Sequence, residues 1–215
     1  MTRLVELAAG HAPEERRRLT TELCDLLLDW PDSYPDAMRE PFETLLEKTV
    51  RLIDGASRTA LIARIAEAPD ARLDFLNEFF FDAPQALRHA ILDRNGREGA
   101  GVSSSARIDE AALIETARRE QHEGFAERFA AALGVRPDTA ARILHDASAE
   151  ALAIAAKGAG LSRATFSTLA LIAGGVHTAE EIAARLAVFE TVSPTAAQAL
   201  LTFWRTGMAV ESRAA

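Results

Sequence analysis

The chain has one cysteine and one tyrosine in 215 residues, and aromatic side chains make up only 6% of it. A single cysteine excludes an internal disulfide and a zinc site built from several thiolates. Cys24 lies in TTELCDLLLDW among leucines at core-facing spacing, which reads as a buried small hydrophobe and not as a nucleophile. A basic surplus is missing too. The formal net charge is −8, and both halves are acidic, −5 through Arg107 and −3 after it. A surface that holds phosphate backbones or anionic lipid without sequence preference needs the opposite balance, so nucleic acid and membrane are not expected partners. No segment shows the apolar–polar alternation of β-branched residues that marks a strand. Long apolar runs are lacking as well. The most apolar stretch, ALAIAAKGAGLSRATFSTLALIAGG (151–175), is interrupted by Lys157 and Arg163. A membrane span needs roughly twenty predominantly apolar residues. The N-terminal MTRLVELAAGHAPEERRR holds too short an apolar stretch for a signal peptide, so a cytoplasmic protein is expected.

What is abundant is Ala, Leu, Glu and Arg, side chains that lose little rotamer freedom in a helix. Pro13 opens a first helix with Leu19, Leu23, Leu26 and Leu27 on one face, and Trp30-Pro31 stops it. A second helix carries Phe42, Leu45, Leu46, Val50 and Ile53 and closes at Gly55. Ser57 caps a third, which ends before Pro69. Asp70 caps a fourth, DARLDFLNEFFFD, and Pro84 opens a fifth. The segment NGREGAGVSSSAR (95–107) is a flexible Gly/Ser linker, which divides the chain into an N-terminal lobe, 1–94, and a C-terminal lobe, 108–215. Beyond it, helices fall near Asp109–Gln121, Glu123–Leu133 and Pro137–His145. Four more begin at Ser148, Ser162, Thr178 and Ser193, starts that are 14, 16 and 15 residues apart. That cadence gives a helix pair about every thirty residues, near the period of helical repeats. The expected fold is all-α: antiparallel helix pairs, HEAT-like in their repetition, in two lobes.

The glycines of the apolar stretch invite a dinucleotide-loop reading. That fingerprint needs a third small residue and a preceding strand. Gly158-Ala-Gly160 is followed by Leu161, Ser162 and Arg163, and the preceding SAEALAIAAK is helical in pattern. One helix ending at 158–160 and another capped by Ser162 is the simpler account, with both in the middle of the second lobe. This segment, together with FAERFAAALGV and FETLLEKTVRLIDGASRTALIARIAEAP, resembles an uncharacterised bacterial family catalogued as domain of unknown function 2336. The resemblance implies a helical-repeat fold. It carries helix-packing patterns and no catalytic signature. The Gly/Ser linker stands where the family pattern would continue with short repeats.

Three constellations carry candidate chemistry. His145-Asp146, with His122 upstream, suggests the His-Asp doublet of helical metal-dependent phosphohydrolases, although no Asp follows Asp146 to complete the ligand set. Equally, Asp146 or Ser148 caps the next helix and His145 sits at a helix C-terminus. The C-terminal run from His177 has the cadence of a helix-turn-helix, with a glycine where a wing would begin. Its second helix offers only Gln198, Thr202 and Arg205 to a groove, and its turn, VFETVS, is long. Phe79, Phe80 and Phe81 spread over an arc of about 200° if helical, too wide for one core stripe. Either that helix is buried on several sides, or one ring, Phe81, contacts a partner or a second copy; Trp204 poses the same choice. The acidic series Asp25, Asp29, Asp32, Asp36, Glu40, Glu43 and Glu47 reads as solvent-facing. No paired catalytic carboxylates, nucleophile elbow or Walker loop is present. The expectation is a non-enzymatic scaffold or regulatory module that binds protein through Phe79, Phe80, Phe81 and Trp204, without catalytic, metal or cofactor residues and without a small-molecule ligand.

Overall fold

The structure, a computed structural model, describes residues 12–68, 71–99, 108–119, 123–174 and 178–214, with backbone alone for 123, 174 and 207–214. Among the described residues it is all-α, with twelve α-helices and no strand. In chain order these are α1 Pro13–Leu28, α2 Arg39–Val50, α3 Gly55–Glu67, α4 Leu73–Glu78, α5 Gln85–Glu98, α6 Glu110–Arg119 and α7 Glu123–Leu133. There follow α8 Pro137–His145, α9 Glu150–Gly158, α10 Arg163–Gly174, α11 Ala179–Thr191 and α12 Pro194–Ala214. One-turn 3₁₀ helices at Asp36–Met38 and Phe80–Asp82 precede α2 and follow α4. The chain forms two compact units, 1–91 and 92–215.

In the N-terminal unit, α1 buries Leu19, Leu23, Cys24 and Leu27 as its spacing dictates, and packs on α2 and α3. Cys24 has no exposed surface, and burial pushes its thiol up to about 11. Three local details differ from expectation. Helix α2 stops at Val50, and Gly55 begins α3 instead of closing α2. The cap of α3 is Asp54, whose carboxylate accepts from the Ser57 N–H at 2.9 Å, so Ser57 supplies the donor and not the cap. The fourth helix breaks at Phe79, where backbone angles of −88° and 1° turn it into the 3₁₀ segment. The expected cap Asp70 and the stop at Pro69 lie outside the described residues.

The fifth helix runs four residues into the expected linker, through Glu98, where Arg94 pairs with Glu98 one turn on at 2.9 Å. Asn95 is fully buried, so a flexible linker cannot begin there. A side chain on Gly99 would strike Ala199 of α12, which explains a glycine at this close approach. Residues 100–107 of that linker lie outside the described residues.

The C-terminal unit is organised around α9. Every residue from Glu150 to Ala156 is buried, and α8, α10, α11 and α12 all pack on it. A helix this rich in alanine has a thin profile, so several neighbours can approach it at once. The expected central position therefore holds for α9. It holds only in part for α10, which buries Phe166, Leu169 and Ala170 but leaves Leu171 47% exposed. Helix α9 ends in a Schellman turn: Gly160 adopts a φ of 74°, and the Leu161 N–H donates to the Ala156 carbonyl at 2.8 Å. Three of the four expected starts carry their caps as read. Ser162 accepts from Thr165 N–H, Thr178 from Glu181 N–H, and Ser193 from Ala196 N–H.

Candidate functional site

The phenylalanine cluster was expected to share one helix, and the break at Phe79 changes where each ring goes. Phe79 is 2% exposed and packs edge-on against Phe75 with centroids 5.2 Å apart. Phe80 is fully buried and lies beneath the Arg88 guanidinium, 5.1 Å from its centre. Phe81 is half-buried and meets Phe80 edge-on at 5.6 Å. Arg88 also donates to the Ala83 and Phe81 carbonyls at 3.0 and 3.3 Å, fixing the turn from both ends. Trp204 is 6% exposed in α12. Phe79, Phe80 and Trp204 are thus core side chains with little or no exposed surface. Phe81 alone of the four is only half-buried.

His145 and Asp146 are adjacent in sequence and separate in role. The exposed His145 ring, at the end of α8, places Nδ1 2.7 Å from the Ala141 carbonyl one turn back. The Asp146 carboxylate accepts from Ser148 Oγ at 2.8 Å and from Ala151 N–H at 2.9 Å, across the first turn of α9. Ala149 takes a left-handed φ of 60° to bring the loop round to this cap. Among the described residues no group of three His, Cys, Asp or Glu side chains could hold a metal ion. His122 lies outside them.

The C-terminal pair departs from a helix-turn-helix in its connection. The expected long turn VFETVS is mostly helix: α11 runs to Thr191, and Val192-Ser193 alone join it to α12. Helix α12 continues through residue 207, where a wing was considered. It lays Ala196, Ala197, Leu200, Leu201 and Trp204 into the core against α9. Gln198 gives its carbonyl to Thr202 Oγ1, and Arg205 Nε donates to the Leu133 carbonyl at 2.7 Å. Burial lowers the Arg205 pKa. Thr202 and Arg205, two of the three polar positions considered for base reading, therefore turn their side chains to backbone carbonyls.

Two arrangements escaped the sequence. In the C-terminal unit, Lys157 of α9 donates to the Phe189 and Val192 carbonyls, the latter at 2.7 Å, and sits 4.6 Å from the Phe189 ring. An ammonium there satisfies the last carbonyls of α11 and complements its negative end. Arg185, 9% exposed, similarly reaches the Ala147 and Ala170 carbonyls at 2.7 and 3.4 Å. Glu110, at the start of α6, accepts from the Ser162 N–H and hydroxyl and from the Thr165 hydroxyl, clipping α6 to the start of α10. Those hydrogen bonds, Ser162 first, hold its carboxyl below the usual range.

In the N-terminal unit the acidic series divides. Asp29, Asp32, Asp36 and Glu40 are exposed as expected, whereas Asp25, Glu43 and Glu47 are half-buried. Asp25 pairs with Arg64 of α3, and Glu43 with Arg39 and Arg72 at 3.2 and 3.3 Å.

These arrangements define an all-helical protein whose ionisable side chains close helix ends and tie one helix to another. The chain belongs to the family described as uncharacterised protein conserved in bacteria (DUF2336), whose model matches residues 43–202. The matched span includes Phe79–Phe81, the His145-Asp146 pair and all of α9; α1 and Trp204 fall outside it. No curated protein and no solved structure matches the chain. Among the described residues no helix is long and apolar enough to cross a membrane.

Proposed function

We propose that the protein is a non-enzymatic interaction module that recognises a protein partner, or a second copy of itself, at the turn carrying Phe81. The observation that carries this reading is the contrast within that turn: Phe79 and Phe80 anchor it in the core, while Phe81 stays partly open on a backbone pinned by Arg88. A held aromatic with one accessible face gives contact area at little cost in side-chain entropy, as interface anchors do. The recurrence of capped helices every fourteen to sixteen residues from Ser148 to Ser193 fits the same use, since stacked helices commonly serve as binding scaffolds. The groups that sequence could assign to metal or DNA chemistry support it too, because Asp146 and Arg205 are committed to a helix cap and a backbone carbonyl.

The test is co-purification from native lysate with wild type and Phe81→Ser in parallel, followed by binding measurements on the purified pair and by sedimentation of the protein alone. A partner or a self-association weakened at least tenfold by Phe81→Ser, with helical content unchanged, is the expected result. Equal binding and equal oligomeric state in both proteins would remove Phe81 from the interface.

A further inference from the structure

Residues 43, 47 and 51 lie one turn apart along one face of α2 and the turn that follows it. Both ends of that row are bridged to α4. Arg72, at the N-cap of α4, is 3.3 Å from Glu43, and Glu78, the last residue of α4, is 3.3 Å from Arg51. Start pairs with start and end with end, so α4 runs alongside α2 in the same direction. Glu47 occupies the middle rung between the two ion pairs. It is half-buried, and among the described residues no cation lies within 4.0 Å of its carboxylate.

We propose that Glu47 is a proton-operated catch on α4: with the proton on, α4 seats firmly against α2, and with the proton off, α4 loosens. The segment it controls leads directly into Phe79–Phe81. Burial raises the Glu47 carboxyl to about 7, and the charges of Glu78 on α4 and Glu43 on its own helix push the same way. Arg51 and Lys48 act against them. Helix α1 and the first 3₁₀ turn also pack on α2, and the charges that act most on Glu47 come from α2, the turn after it and α4. The folded value lies above the usual 4.5 of a glutamate. The stabilisation that comes with the bound proton is therefore complete below about 4.5 and is lost as pH rises through about 7. This window differs from that of most carboxylates in ion pairs, which weaken on acidification.

Hydrogen exchange of the intact chain at pH 6 and pH 8, corrected for the intrinsic effect of pH on amide exchange, tests the catch. Peptides spanning 73–82 are expected to lose about tenfold in protection at pH 8, the change in protonated fraction across a pKa near 7. Peptides of α9 are expected to change little. Glu47→Gln, which keeps the shape and removes the charge, is expected to hold the pH 6 protection at both values. Equal protection of 73–82 at the two pH values in wild type, or the same loss in Glu47→Gln, would overturn the proposal. A carboxyl ¹³C titration of Glu47 gives an independent reading: a midpoint near 7 supports the catch, and one between 4 and 5 rejects it whatever the variant does.

Discussion

Both units close helix ends with a cation, and they neutralise that cation differently. In the N-terminal unit, Arg39 donates to the Leu27 carbonyl at the end of α1 and also pairs with Glu43. Arg58 donates to the Val50, Arg51 and Ile53 carbonyls after α2 and lies 3.8 Å from Asp82. In the C-terminal unit Lys157, Arg185 and Arg205 bind carbonyls too, yet among the described residues none has a carboxylate within 4.0 Å. Arg51–Glu78, Arg58–Asp82, Arg64–Asp25 and Arg72–Glu43 join different elements of the first unit, and Arg163–Glu190 joins α10 to α11 in the second. One unit is laced by ion pairs over a leucine and phenylalanine core. The other relies on close backbone approach around an alanine helix, with cations held by peptide dipoles.

The sharpest way to break that contrast is at the close approach. A Cβ on Gly158 would lie 2.6 Å from the Ala197 carbonyl oxygen and 3.0 Å from the Leu201 Cβ of α12. Backbone cannot swing aside as a side chain can, so Gly158→Ala is expected to destabilise the C-terminal unit by about 2–3 kcal/mol, the usual overpacking cost, outweighing the ~1 kcal/mol that Ala gains in a helix. Urea unfolding followed through exchange of α9 and α12 peptides reads this directly; unchanged protection would mean that α12 can retreat freely. Next comes Lys157→Met, which keeps the stem and deletes the ammonium. It orphans the Phe189 and Val192 carbonyls, at an expected cost of about 2 kcal/mol confined to the C-terminal unit. The smallest effect is salt. In 1 M NaCl the screening length falls to about 3 Å, so the partly exposed bridges of the N-terminal unit should weaken by about 0.5 kcal/mol in all. Exchange of α2 and α4 should accelerate while α9 stays constant. Equal response in both units would show that the ion pairs add nothing the second unit lacks.

How far the sequence revealed this depended on the range of each interaction. Ser162, Thr178 and Ser193 were legible as caps because the hydroxyl and its N–H partner are three residues apart. The helix periodicity was legible for the same reason. Lys157 was readable only as a charge interrupting an apolar run, since its carbonyl partners lie 32 and 35 residues away and become neighbours through packing. Glu110 was invisible as a clip, being 52 residues from Ser162. Glu47 reads as a solvated acid because it stands in a series of acids; the Arg72 and Glu78 whose ion pairs flank it belong to a distant segment. The phenylalanine arc failed on a local detail, the break at Phe79, which no spacing rule foresees. The end of α9 at 158–160 was legible, with Gly160 making the turn; that Gly158 also makes room for α12 was not.

Cys24 turns the comparison between units into a chemical clock. It is the chain's single thiol, it has no exposed surface, and its pKa of about 11 keeps it protonated as well as sheltered. A thiol reagent can therefore modify the native protein only when α1 lifts from α2 and α3. The labelling rate at neutral pH counts openings of the N-terminal unit alone, while the C-terminal unit, carrying no cysteine, stays silent in the same tube.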